Sequence, residues 1–318
     1  MNLLDGMRYL VALEQHKHFG RAASACHITQ PALSNALRAL EAELGVAIVR
    51  RGRAYAGLTP EGVRVLDSAN RLLREQEVLR QDLHSEAGRP RGALMIGAVP
   101  TTMPIAARFV AQLQARYPGI TPVLRSLSSP EIETGLESLS LDLGLGYTDR
   151  GSKFACVPQY VEQYFLLRRV LLRRVAASTG EARCPLQFGK KVNWLDAASL
   201  PLCLLTPEMH NRTIVDAAFA AAGAQLKPAI ETNSIVTVVL AVLDGQVAAV
   251  IPGALMALAR GYPGLEALPL REPDVRTPIG FMHAAGMRPS RALEAALTLA
   301  QDGAWLRLAA THGGLLSA

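Results

Sequence analysis

No two cysteines in this chain stand at C-x-x-C spacing. Cys26, Cys156, Cys184 and Cys203 are scattered through 318 residues. That speaks against a disulfide framework and leaves zinc without paired ligands. Aromatic residues make up only 5% and charged residues 19%, while half of the chain is apolar. Such a composition excludes disorder and is enough for two or three packed cores. No long apolar run is unbroken either. The most hydrophobic stretch, residues 235–259, is interrupted by Asp244, Gly245, Gln246 and Pro252, which excludes a spanning helix and a membrane partner. Asp5 and Arg8 come too early for a signal peptide, so the expected location is the cytoplasm. G-x-S-x-G, P-loop, H-E-x-x-H and dinucleotide fingerprints are all missing, so no enzyme and no cofactor are expected. His16 and His18 have H-x-H spacing without a third ligand nearby, and read as solvated helix-end histidines.

What the chain does have is positive charge near its start. The net charge is +6, and residues 1–91 hold 13 Lys and Arg against 10 Asp and Glu. The sharpest peak is Arg50-Arg51-Gly52-Arg53, inside the stretch Phe19 to Gly62. There a short Ala-rich helix, Arg21 to Cys26, breaks at His27-Ile28-Thr29. A second helix starts from Thr29, with Gln30 and Pro31 in its first turn, where a missing N–H loses no partner. Leu33, Leu37, Leu40 and Leu44 recur at helical spacing as its core stripe. The opposite face carries Gln30, Ala32, Ser34, Asn35 and Arg38. Gly45 ends the helix, Val46 to Val49 reads as a strand, and Gly57-Leu58 as its return. Two helices around a turn and a basic hairpin make a winged helix-turn-helix. A helix face of this kind can hydrogen-bond base edges in the major groove of double-stranded DNA. The arginines of the hairpin suit phosphate or minor-groove contacts.

Several of these residues also carry a resemblance: Phe19, Arg21-Ala22-Ala23, Thr29-Gln30-Pro31-Ala32-Leu33-Ser34, Leu40-Glu41, Leu44-Gly45-Val46, Arg51 and Leu58-Thr59-Pro60-Glu61-Gly62. The chain resembles the LysR-type transcriptional regulators. It departs at Gly20, where Ser or Thr is usual, at Asn35, where Arg is frequent, and at Ile48-Val49, where Leu-Phe is usual. The resemblance implies promoter DNA as partner, with Arg21, Thr29, Gln30, Pro31, Ala32, Ser34, Asn35, Arg38, Arg51 and Arg53 at the interface. Leu3 to Gln15 supplies the first helix of the domain, placed at residues 1–58.

Thr59-Pro60-Glu61 opens a long helix to about Glu86. Leu66, Leu73 and Leu83 fall near heptad spacing, and Val63, Leu72 and Leu79 form a neighbouring stripe. In the family this linker (residues 59–91, with a hinge at Gly88 to Gly92) pairs with a second subunit, so a dimer and a tetramer of dimers are expected. RNA polymerase joins the expected partners.

From Ala93, strands and helices alternate as in α/β sheets. Strands Ala93 to Val99, Ile120 to Leu127 and Leu141 to Tyr147 each lead into hydroxyl residues: Thr101-Thr102, Ser128-Ser129 and Thr148. Leu202 to Leu205 leads to Thr206, expected to cap a helix, and Ile230 to Thr232 leads to Asn233. Such helix starts at a sheet's carboxyl edge suit a small anion. Thr101, Thr102, Ser128, Ser129, Thr148, Thr206 and Asn233 are therefore the expected effector-binding residues. Paired arginines near Arg168 and Arg173 read as solvent-facing. A helix is expected from Ser290 to Leu308.

The resemblance implies that residues 92–318 form a periplasmic-binding-protein-like domain of two Rossmann-like α/β subdomains, one from 92–160 and 269–318, the other from 161–268. Residues 1–23 and 200–212 further resemble regulators associated with formate-oxidation genes, which implies formate as the small carboxylate effector. Some family members sense oxidants through a cysteine pair, which singles out Cys184 and Cys203; buried spectator thiols are the other reading. The alternative to an effector-responsive activator or repressor is a solute-binding protein without a gene-regulatory role. That reading leaves Gln30 to Arg53 without a purpose.

Overall fold

The computed structural model describes residues 2–50, 52, 55–85, 89–149, 153–170, 186–260, 262, 264–286 and 288–311. The wing arginines Arg51 and Arg53, Gly88 of the expected hinge, and Cys184 lie outside them. The chain divides into two compact units, the first made mainly of residues 1–89 and the second of the rest.

In the first unit the helices are α1 (Leu3–His16), α2 (Phe19–Ala25), α3 (Gln30–Leu44) and α4 (Pro60–His84). Their ends follow local chemistry. The Asn2 side chain accepts from the Leu4 amide, Thr29 from Ala32 and Thr59 from Gly62, while Gly45 closes α3 in the left-handed region at φ 69°. Each arrangement satisfies a backbone group that the helix itself leaves open. Leu10, Leu13, Leu33, Leu37, Leu40 and Ile48 form the core, with Val65 and Leu66 of α4 packed against it. The two expected wing strands reduce to one antiparallel bridge between Val49 and Leu58. The turn is held by other means: the Glu41 carboxylate accepts from the Ile48 and Val49 amides at 2.7 and 3.0 Å. Gly62 opens α4 against this turn, and a Cβ there would overlap the Ile48 carbonyl oxygen.

The second unit begins with β1 (Gly92–Ala98), α5 (Met103–Arg116), β2 (Ile120–Ser126), α6 (Ser129–Glu137), β3 (Leu143–Tyr147) and β4 (Phe154–Glu162). It continues with β5 (Tyr164–Arg169), β6 (Gln187–Phe188), β7 (Val192–Asn193), α7 (Trp194–Ala197), β8 (Leu202–Leu205) and α8 (His210–Ala221). The last part is β9 (Ile230–Thr232), α9 (Ile235–Asp244), β10 (Ala248–Pro252), α10 (Met256–Ala259), β11 (Leu265–Arg271), β12 (Thr277–Ala284), α11 (Arg291–Ala300) and α12 (Gly303–Ala310). Two sheets result. The first has the order β2-β1-β3-β12-β4, with β1 parallel to β2 and β3, and β12 antiparallel to β3 and β4. The second runs β6-β11-β5-β10-β8-β9, with β7 beside β11.

The chain crosses between the sheets twice, at Gln163 and between Arg271 and Thr277. Phe109, Phe281 and Trp305 pack the first core, with ring centroids 4.4 Å apart for the Phe pair and 5.0 Å for Phe109 and Trp305. Separate cores line the second sheet, one around Val238, Val242 and Leu255, the other around Trp194 and Phe219.

Two further expectations are corrected. The C-terminal helix is two, because Asp302 accepts from the Ala304 and Trp305 amides and starts α12 afresh. The helix after β8 starts at His210, not Thr206. Residues 154–162, assigned to no element from the sequence, form β4, whose Pro158 and register shift against β12 hide the alternation.

Candidate nucleic-acid interface and effector cleft

α3 buries its leucine stripe and presents Gln30, Pro31, Ala32, Asn35 and Arg38 to solvent, with Ser34 partly covered. Asn35 accepts from Arg38 at 3.3 Å, which orients the guanidinium along the helix. Gln30, Ser34 and Arg38 line one groove together with Arg50 and Gly52 of the turn. Glu41 also borders the groove, yet its carboxylate is spent on the two turn amides. Arg21 is exposed on α2. The missing cap hydroxyl at Gly20 has a substitute. The His18 ring accepts from the Gly20 and Arg21 amides at 3.1 and 3.3 Å and so caps α2. His18 is thus a helix cap rather than half of a metal pair. A recognition helix needs a rigid base and a free polar edge, and this arrangement supplies both.

In the second unit, Thr101, Ser128 and Ser129 of the first half meet Met209, His210 and Asn211 of the second around a small cavity. It leaves about 10 Å³ for the centre of a water molecule, the space of roughly one water. Tyr147, the last residue of β3, forms its floor and stacks edge-on against His210 at 4.7 Å. The Tyr147 hydroxyl pairs with Thr101 at 3.1 Å. Asn211 donates to the Tyr147 and Tyr164 hydroxyls at 3.4 Å each, joining tyrosines of both sheets. Burial pushes the Tyr147 and Tyr164 phenols well above their ordinary range, so both stay neutral.

The hydroxyls are not equivalent. Ser128 donates both its amide and its hydroxyl to Glu131 at 2.7 Å, and these bonds hold the Glu131 carboxyl below its usual range. Ser129, at the start of α6 and 6% exposed, has a hydroxyl without a partner among the described residues. It is the hydroxyl left available to a ligand.

The remaining expected effector residues lie elsewhere. Thr102 is fully buried and donates to the Val99 and Leu145 carbonyls, so it serves the core. Thr148 donates to Pro278, at 3.4 Å. Thr206 donates to Glu208 in the loop before α8, and Asn233 is exposed. Residue type at a strand end does not fix side-chain direction, which is why these four do not line the cavity. Tyr147, His210 and Asn211, which line the cavity, were not among the expected site residues. Arg212, buried beside them, is fully engaged by Asp216, Glu231 and the Leu205 carbonyl at 2.6–2.7 Å.

The described thiols stand apart from the cavity: Cys203 is buried in β8, Cys26 and Cys156 are on other elements, and burial pushes all three up. No described helix is long and apolar enough to cross a membrane.

Comparisons with known proteins agree with this architecture. Residues 87–305 match the family model described as LysR substrate binding domain. Residues 4–63 match that of the bacterial regulatory helix-turn-helix protein, lysR family. The chain is 34% identical over 168 residues to the DNA-binding transcriptional dual regulator OxyR of Escherichia coli K12, covering 52% of this chain and 55% of that protein. It is 39% identical over 125 residues to the SDS degradation transcriptional activation protein of a Pseudomonas species, covering 39% and 40%. The chain thus matches about half the length of these curated relatives, or less. A full-length OxyR variant from Pseudomonas aeruginosa superposes with a TM-score of 0.70 at 24% identity, covering 100% of this chain and 99% of that one. The regulator CbnR complexed with its target DNA superposes at 0.63 and 19%, covering 96% and 99%. Both show the shared fold. With one family model spanning well over half of its residues and a second matching its start, the chain belongs to the LysR family.

Proposed function

We propose that this protein is a cytoplasmic transcriptional regulator that binds promoter DNA and answers to a small-molecule effector. The observation that carries the reading is the exposed edge of α3, where Gln30, Ser34 and Arg38 share a groove with the basic turn. α3 enters the major groove, and Arg51 and Arg53 grip the phosphates. Leu72, Leu79 and Leu83 of α4 are 46–75% exposed, an apolar stripe that a second copy would cover. A dimer through α4, two of which make a tetramer, then reads two half-sites. Footprinting of the intergenic DNA upstream of its own gene, at two salt concentrations, tests this. Two spaced protected half-sites are expected; no protection at low salt would overturn the reading.

The effector is a small anion of formate's size, held by the Ser129 hydroxyl and by the Asn211 amide once that amide releases a tyrosine hydroxyl. The cavity has room for little more than a water, and its polar lining is hydroxyl, amide and the His210 imidazole. A second reading comes from relatives named as hydrogen peroxide-inducible genes activators. The described thiols lie outside the cavity and are pushed away from the reactive thiolate, which favours an anion over a thiol switch. Footprints repeated with small carboxylates and with peroxide separate the two. A change in protection with peroxide that is lost on Cys184→Ser or Cys203→Ser would favour the thiol.

A further inference from the structure

Where the chain first crosses from one sheet to the other, β4 ends in a carboxylate with no access to water. Glu162 is 0% exposed, and its Oε2 has no hydrogen-bond partner among the described residues. The other oxygen, Oε1, lies 3.5 Å from the Tyr160 hydroxyl, and the Ala254 amide donates to the carboxyl. The next residue, Gln163, crosses to the second sheet, its carbonyl accepting from Gly253 at 2.9 Å. The second crossing is beside it: Thr277 pairs with Glu162 in the sheet, and the Thr277 and Tyr164 side chains meet at 3.4 Å. The carboxyl thus sits where both crossing strands pass between the half-domains.

The titratable groups that interact with it are tyrosines: Tyr160 on its own strand, Tyr147 on β3 and Tyr164 on β5. On β12 its sheet partner is Thr277, and the Ala254 amide reaches it from the turn before α10. A buried carboxylate without a cation costs far more than a neutral carboxyl in the same place. Tyr147 and Tyr164 are also the two tyrosines to which Asn211 donates at the cavity. The crossing point and the effector cavity therefore share a hydrogen-bonded wall.

We propose that Glu162 is a proton switch of the effector domain: its neutral carboxyl holds the half-domains in the arrangement described here, and its ionisation loosens them and weakens anion binding in the cleft. The part that concerns the anion rests on the function proposed above. Burial pushes the carboxyl up to about 8, against its ordinary 4.5, with the Tyr160 hydroxyl and the Ala254 amide opposing. The folded chain then keeps a proton that the unfolded chain loses. Stability from this group is fully present below the unfolded value and falls as pH rises towards 8, levelling off above it.

Melting of the full-length protein from pH 5 to pH 9 tests the switch. Relative to wild type, E162Q should gain melting temperature steadily up to about pH 8 and hold that gain beyond. Y160F keeps the carboxyl and removes a hydroxyl that favours its ionised form, so its decline should extend to higher pH. Parallel curves for wild type and E162Q would overturn the proposal. The cleft is tested by calorimetry with sodium formate. In wild type, affinity should fall roughly tenfold between pH 7 and pH 9, and in E162Q it should not change. Equal formate affinity at both pH values in wild type would refute the link to the cleft. Formate binding to neither protein would count against the formate-sized effector, while the melting curves still decide the role of Glu162.

Discussion

The edge of α3 and the floor of the cleft are both polar, but they spend that polarity differently. Along α3, Gln30 and Arg38 point outward over a leucine core, and their donors remain largely free for an incoming base edge. Around the cleft, Thr101, Tyr147, Tyr164, Thr277 and Asn211 are buried and bonded mainly to one another. A surface group gains little from a neighbour because water competes, whereas a buried one must be satisfied within the fold. The first region is therefore a face awaiting a partner. The second is a joint whose internal bonds a ligand can exchange.

Substitutions can sharpen this contrast, starting with the largest effect. Gly62→Ala forces a methyl group into the Ile48 carbonyl oxygen, where α4 meets the turn that follows α3. It should destabilise the first unit by ~3 kcal/mol. Calorimetry should show one transition moved and the other in place; an unshifted melt would mean the close approach has slack. Gln30→Ala leaves folding alone and should weaken sequence preference by ~1–3 kcal/mol if the contact is bidentate. Unchanged footprint and affinity would remove α3 as the reading element.

Asn211→Leu acts in the joint instead. It leaves two buried tyrosine hydroxyls short of a donor and should cost about 1–2 kcal/mol of stability in the second unit, with DNA affinity at saturating protein retained. A loss of DNA binding without a loss of stability would blur the contrast between the two regions. The smallest effect belongs to His18→Ala, which removes the ring that caps α2 and should cost about 1 kcal/mol. His18→Ser should restore most of it, since a hydroxyl can accept from the same amides. Failure of that rescue would point to packing by the ring rather than to capping.

The first unit was readable largely because its signals are local. Thr29, Gly45 and Thr59 cap their helices where expected, since a cap depends on a few neighbouring residues and on backbone groups left open at that point. The leucine stripe of α3 likewise follows from helical period alone. The turn was less readable. Val46 to Val49 has strand-like residues, but one bridge and the Glu41 carboxylate hold it, a contact from seven residues away.

In the second unit the alternation of strands and helices was legible, while the site was only partly so. Thr101, Ser128 and Ser129 converge, because strand ends at the carboxyl edge of a sheet are brought together by topology. Thr102, Thr148, Thr206 and Asn233 do not, because adjacent residues at such an edge can point into the core, along the loop or into solvent.

By itself, then, the sequence determined the helices of the first unit, the exposed polar face of α3 and the α/β character of the remainder, since periodicity and capping act within a few turns of chain. Tertiary structure alone decided that Ser129 is left free while Ser128 is tied down, and that Asn211 bridges tyrosines from two sheets. It also decided that Glu162 sits dry at the crossing of two strands. Each of these depends on residues far apart in the chain being packed together, where burial rather than residue type sets the cost of an unpaired polar group.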